Sequence, residues 1–182
     1  MNLGVRYNLI LVDPNGGAEQ PADPNTTFRP NDCLALGVQA NYDGYLYVFD
    51  RGSSGKWDVL LPSADMTDES NFIKARTTVK APAKYCFSVD SPSGTEHLFL
   101  VLSRDPQDVS QLNAAIRSSS DQSTAVGTQM AKLEQKLASR DLRITKVGKP
   151  TSAGEPANAV YVVDTSRTAS DRLVTEIQVK HN

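Results

Sequence analysis

The chain has 182 residues, a net charge of −2 and a sequence pI near 5.7. No large basic excess is available to neutralise phosphates, so nucleic acid is not an expected partner. No apolar run approaches the roughly 20 residues that span a bilayer, and a chain this long buries enough surface to fold without metals or disulfides. The start, Met1-Asn2-Leu3-Gly4-Val5-Arg6-Tyr7, lacks a charged stretch followed by an apolar core. It therefore does not read as a leader. Either the protein is cytoplasmic or a leader has been removed.

Residues 4–12 read as a strand, with Val5, Tyr7 and Leu9 alternating with polar residues at first. Asp13-Pro14-Asn15-Gly16-Gly17 stops it, and residues 14–31, rich in Pro, Asn, Gly and Thr, read as a long irregular connection. Strands are expected at about 33–40, 45–51 and 57–61, joined at Asp43-Gly44 and across Gly52-Ser53-Ser54-Gly55-Lys56. A weaker strand region covers 72–80. Strands at 85–90 and 96–103 then flank the turn Ser91-Pro92-Ser93-Gly94-Thr95. Short strands separated by Gly/Pro turns point to an antiparallel sandwich or barrel.

At Ser103-Arg104-Asp105-Pro106 the pattern changes. Asp105 is a good N-cap with Pro106 behind it, and Val109, Leu112 and Ile116 follow at helical spacing. Val126, Met130, Leu133 and Leu137 mark a second helix with a narrow apolar stripe, placed on the sheet or on another chain. Leu142–Val147 and Val174–Lys180 alternate cleanly, whereas Ala159–Val163 is apolar throughout and reads as central. The expected fold is one mainly β domain over 1–182. It is an antiparallel β-sandwich of immunoglobulin-like type, with a two-helix insertion (107–140) before three last strands (141–182) that return to the sheet holding 4–12.

Several pieces resemble, in the same order, a bacterial family known as domain of unknown function 4384. They are Gly4-Val5-Arg6-Tyr7, Asn41–Val48, Gly52–Trp57, Leu61-Pro62-Ser63, Gly94-Thr95-Glu96 and Leu102–Pro106. The resemblance spans about 4–106, and the closing segment is similar to the tails of some acidobacterial members. It implies an accessory binding or assembly role and shifts the expected location toward the cell envelope or an extracellular structure.

The candidate sites are few. Gly52-Ser53-Ser54-Gly55-Lys56 departs from the Walker spacing, is followed by Trp57 and a strand, and reads as a hairpin turn. His97 and Cys86 are not expected to meet, because a turn near Ser93 sets Cys86 opposite about residue 100. His181 lies near the end and is expected at the surface. Asp65, Asp68 and Glu69, with Asn71, form an acidic loop that lacks the glycine of a calcium loop. No catalytic set, metal site or cofactor is expected.

Cys33 and Cys86 both point away from the apolar faces of their strands, so they pair if those strands are neighbours and otherwise stay free. Tyr45, Tyr47 and Phe49 share one face of a strand whose other face carries Leu46 and Val48. A strand apolar on both faces is usually covered on both. The alternative is an exposed aromatic surface. Residues Tyr42, Tyr45, Tyr47, Arg51, Trp57, Met130, Leu133 and Leu137 are therefore the candidate interaction surface. The expected function is a non-enzymatic binding or assembly module with protein partners. The alternatives are a subunit that polymerises through edge strands or the 126–137 helix, and an enzyme with an unfamiliar site.

Overall fold

Strand β4 (Gly44–Arg51) is apolar on both of its faces, and both are buried. The computed structural model describes residues 2–62, 71–89, 91–105, 111, 114, 121–137, 142–167 and 170–182, with the side chains of 122 and 133–137 left aside. Leu46 and Val48 of β4 enter the main core, whereas Tyr47 and Phe49 enter a second cluster on the opposite face. That division follows from the two-residue period of a strand.

β4 lies in a five-stranded antiparallel sheet. Its order is β12 (Arg172–His181), β9 (Gly94–Ser103), β4 and β5 (Trp57–Leu61), and β6 (Phe72–Ile73) also pairs with β4. The second sheet has seven strands. Its order is β10 (Leu142–Val147), β11 (Ala159–Asp164), β1 (Gly4–Val12), β3 (Cys33–Ala40) and β7 (Thr78–Ala81). There β2 (Glu19–Ala22) pairs with β1, and β8 (Phe87–Ser88) pairs with β3. One continuous buried cluster joins them, with Val5, Tyr7, Leu9, Leu34, Leu36 and Val38 from one sheet and Leu46, Val48, Leu98, Leu100, Ile177 and Val179 from the other. The protein is thus mainly β, with two antiparallel sheets on a shared core.

Among the described residues α1 (Gln122–Leu137) is the one continuous helix, and Gln111 and Ala114 are also helical. The expected two-helix insertion is not supported, and the helix expected around Val109, Leu112 and Ile116 falls outside the described residues. Asp121 caps α1, with Oδ1 accepting from the Thr124 N–H at 3.1 Å and Oδ2 from the Thr124 hydroxyl at 2.6 Å. These bonds hold the Asp121 carboxyl below its usual range. Val126 and Met130 bury their side chains on the outer face of the five-stranded sheet. The Trp57 N–H donates to Ser123 Oγ at 2.8 Å, which ties the start of the helix to the first residue of β5.

Three expectations about pairing change. The 85–90 and 96–103 strands do not form a hairpin: β8 pairs with β3 and β9 pairs with β4 and β12, in different sheets. The 72–80 region divides into β6 and β7, again in different sheets, around a turn where Arg76 has φ 63°. The last three strands separate as well. β11 pairs with β1 and β10 with β11, as expected, but β12 joins β9 in the other sheet along its full length. Parity is satisfied there, since Leu173, Ile177 and Val179 turn into the shared core, and β9 matches β12 over all ten residues.

Gly127 is where α1 approaches the sheet most closely: a Cβ there would lie 2.8 Å from Trp57 Nε1. Gly127→Leu raises intrinsic helix propensity, so any loss of stability measures the clash. The expected loss is about 1–3 kcal/mol, with a red shift in emission from Trp57, the only tryptophan. Unchanged emission and melting temperature would show that α1 does not rest on Trp57.

Candidate functional site

The aromatic surface expected from the sequence is assembled, and α1 covers it. Tyr47 and Met130 are 0% exposed. Tyr45, Trp57 and Val59 are partly buried against the same cluster as Phe99, Val101 and Val126. Trp57 packs on Phe99 with centroids 5.1 Å apart, and the Arg51 guanidinium lies 5.5 Å from the Trp57 ring and 5.6 Å from Phe99. Those distances are within the range of cation–π attraction. Tyr45 meets Phe72 edge-on at 5.2 Å. Tyr42 lies apart, partly buried on the main core with the Arg104 guanidinium 4.7 Å over its ring. The backbone of Leu133 and Leu137 belongs to α1, and their side chains lie outside the described residues. The aromatic face therefore works mainly as an interior for this chain.

Cys33 and Cys86 form a disulfide with Cα atoms 5.4 Å apart. β8 runs beside β3 with Cys33 opposite Ser88, and this register brings Cys86 within reach. The bond closes a separation of 53 residues, for which chain-entropy arguments give about 4 kcal/mol of stabilisation. It also removes Cys86 as a nucleophile. Gly52–Lys56 is a hairpin turn, with Gly52 N–H donating to Lys56 O at 2.9 Å, Gly55 N–H to Gly52 O at 2.8 Å, and Gly55 at φ 82°. Asp65, Asp68 and Glu69 lie outside the described residues. Asn71 is buried and exchanges hydrogen bonds with the Leu46 backbone. Among the described residues no group of three or more His, Cys, Asp or Glu is placed to hold a metal ion.

Sequence reading missed a buried polar cluster at one end of the five-stranded sheet. Asp50 shares the inward parity of Leu46 and Val48, Glu96 that of Leu98 and Leu100, and His181 that of Ile177 and Val179. His181 was expected at the surface but is 4% exposed, and Glu96 is 5% exposed. The His181 Nε2 lies 2.9 Å from Glu96 Oε1, close but out of line for an N–H···O bond. Glu96 Oε1 also accepts from the Ser53 N–H at 3.4 Å, so the cluster holds the Gly52–Lys56 hairpin down.

Asp50 hydrogen-bonds to Glu96, and its Oδ1 is buried with no partner among the described residues. Burial, then the nearby charges of Glu96 and Asp58 and the bond to Glu96, push the Asp50 carboxyl up to about 7. Burial is the largest of these causes, because a low-dielectric site disfavours the charged form. Strand parity carried the signal for all three residues.

A second feature lies along the side of the molecule where β10 and β12 are the outermost strands. Between them is a groove of about 410 Å³ lined by Tyr7, Val160 and Ile177, by Ile144, Lys146, Glu176, Gln178 and Lys180, and by Pro24 and Asn25 at one end. Ile144 is 55% exposed at its mouth. Phe28 closes the end near His181 as a one-residue parallel bridge: its N–H donates to Lys180 O at 2.8 Å, and its carbonyl accepts from Asn182 N–H at 3.1 Å. Alternate residues of a strand present their N–H and C=O to the same edge. Val174, Glu176 and Gln178 therefore face the free edge as Lys180 does. Among the described residues no strand pairs with that edge between Arg172 and Val179.

Fold and site together define a mainly β protein, with two antiparallel sheets, one helix-covered aromatic face and one open side. Residues 27–106 match the family model described as domain of unknown function (DUF4384), so that segment is similar to this family. The match begins in the connection before β3 and ends after β9, so β1, β2, α1 and β10–β12 lie outside it. No curated protein and no solved structure matches the chain significantly.

The Asp50 carboxyl has an ordinary value of 3.8 and stands at about 7 in the fold. The native state thus favours its protonated form, and stability declines as pH rises from about 4 to about 7. At about 1.4 kcal/mol per tenfold change in the equilibrium constant, the upper bound is about 4 kcal/mol. Asp50→Asn keeps the shape without the charge. Thermal melts are expected to show the variant more stable than the wild type at pH 8, with the gap closing toward pH 4. A gap independent of pH would rule out a raised Asp50 carboxyl in the fold.

Proposed function

We propose that this protein is a non-enzymatic binding or assembly module, built as an immunoglobulin-like sandwich and working with a protein partner in the cell envelope or an extracellular structure. The free edge of β12 beside the groove carries this reading. An unpaired edge offers backbone donors and acceptors that another chain completes by adding a strand. The compartment is supported by the disulfide between Cys33 and Cys86, since such bonds persist mainly in oxidising environments. The binding role is supported by the closed state of the other candidates: the aromatic face is covered by α1, and Glu96 and His181 are buried.

The same edge supports a second reading, in which the added strand comes from another copy and the protein polymerises. A photo-crosslinking residue at Gln178 in the native cells separates these outcomes. Adducts to a different protein are expected at 178 and not at the exposed control Asn15. An adduct to a second copy, together with filaments in electron micrographs, would replace the binding module with the polymerising subunit. No adduct above the control would remove both.

A further inference from the structure

We infer that the groove between β10 and β12 takes an extended acidic peptide, which adds to the free edge of β12. This inference rests on the proposed binding role and names the partner's chemistry. Its backbone side is set by Val174, Glu176 and Gln178, whose N–H and C=O groups face outward in the register that Phe28 already uses at Lys180 and Asn182. Pro24 and Asn25 line the groove, and Phe28 ends the free edge at His181.

The side chains of an added strand alternate between two environments. Those turned inward meet Ile144, Val160 and Ile177, and the apolar floor selects apolar groups there. Those turned outward, or held at the mouth, meet charge. Three charged residues line the groove: Lys146, Lys180 and Glu176. The Glu176 carboxylate is engaged by His97 Nδ1. Neither lysine has an ion-pair partner among the described residues. The charge left for a ligand is therefore positive. An alternating apolar and acidic segment complements both the floor and the rim. A basic segment would set like charges against Lys146 and Lys180.

The test is a fluorescence-anisotropy titration of the full chain with two labelled peptides, (Glu-Val)4 and (Lys-Val)4, at low salt. (Glu-Val)4 is expected to bind at least tenfold more tightly. The double variant Lys146→Glu/Lys180→Glu, which changes only exposed charges, is expected to reverse that preference. Gln178→Pro removes an N–H that faces the free edge rather than β9, and proline is tolerated at such positions. It is expected to abolish binding while emission from Trp57 stays unchanged. If the two peptides bind equally and Gln178→Pro abolishes both, edge binding stands and the acidic preference is wrong. If neither peptide binds, or if Gln178→Pro changes nothing, both readings fail. Sedimentation that shows a dimer which Gln178→Pro dissociates would make a second copy the occupant and overturn the peptide.

Discussion

A strand that is apolar on both faces cannot rest at a surface, and β4 is such a strand. Its Leu46 and Val48 require one cover, its Tyr47 and Phe49 another. The seven-stranded sheet supplies the first and α1 the second. The arrangement of the rest of the chain follows from satisfying both. The helix must reach the outer face of the five-stranded sheet, so the chain leaves β9, crosses that face and returns to the other sheet through β10 and β11. Gly127 lets the helix come down on Trp57, and Ser123 accepts from the first residue of β5. The aromatic residues that looked most suited to a partner are thus consumed by the fold itself.

With that face closed, what remains open is backbone. The two sheets end on one side with β10 and β12, and the polar edge of β12 borders a floor of apolar side chains. Phe28 covers only the last part of that edge. The opposite logic holds at the end of β4, where Asp50, Glu96 and His181 are drawn inward by strand parity and lie beside one another. Their burial explains the raised Asp50 carboxyl and links the Gly52–Lys56 hairpin to β9 and to the C-terminal strand. The disulfide does comparable work on the outer face of the other sheet, where Cys33 packs with Val12 and Ala35.

Much of the fold was legible in local pattern. The strands at 4–12, 33–40, 45–51, 57–61, 96–103, 142–147, 159–163 and 174–180 follow from alternation and turn residues, and each stands close to its expected bounds. The helix through Val126 and Met130 follows from its spacing. What alternation does not encode is which strand lies beside which. The strands at 85–90 and 96–103 read as the two sides of one turn, but a strand end at Ser88 and a strand start at Gly94 can belong to different sheets. β12 could equally have followed β11. Its choice of β9 depends on which sheet had an unfilled edge of matching length.

The sequence by itself determined the mainly β character, the turns, the two-sided burial of β4 and the inward parity of Asp50, Glu96 and His181, because these depend on neighbours within a few residues. Only the tertiary structure decided the pairing of Cys33 with Cys86, the covering of the aromatic face and the open side between β10 and β12. Those depend on the order of strands in each sheet. That order is fixed by long-range competition for edges and core volume, and no short segment carries it.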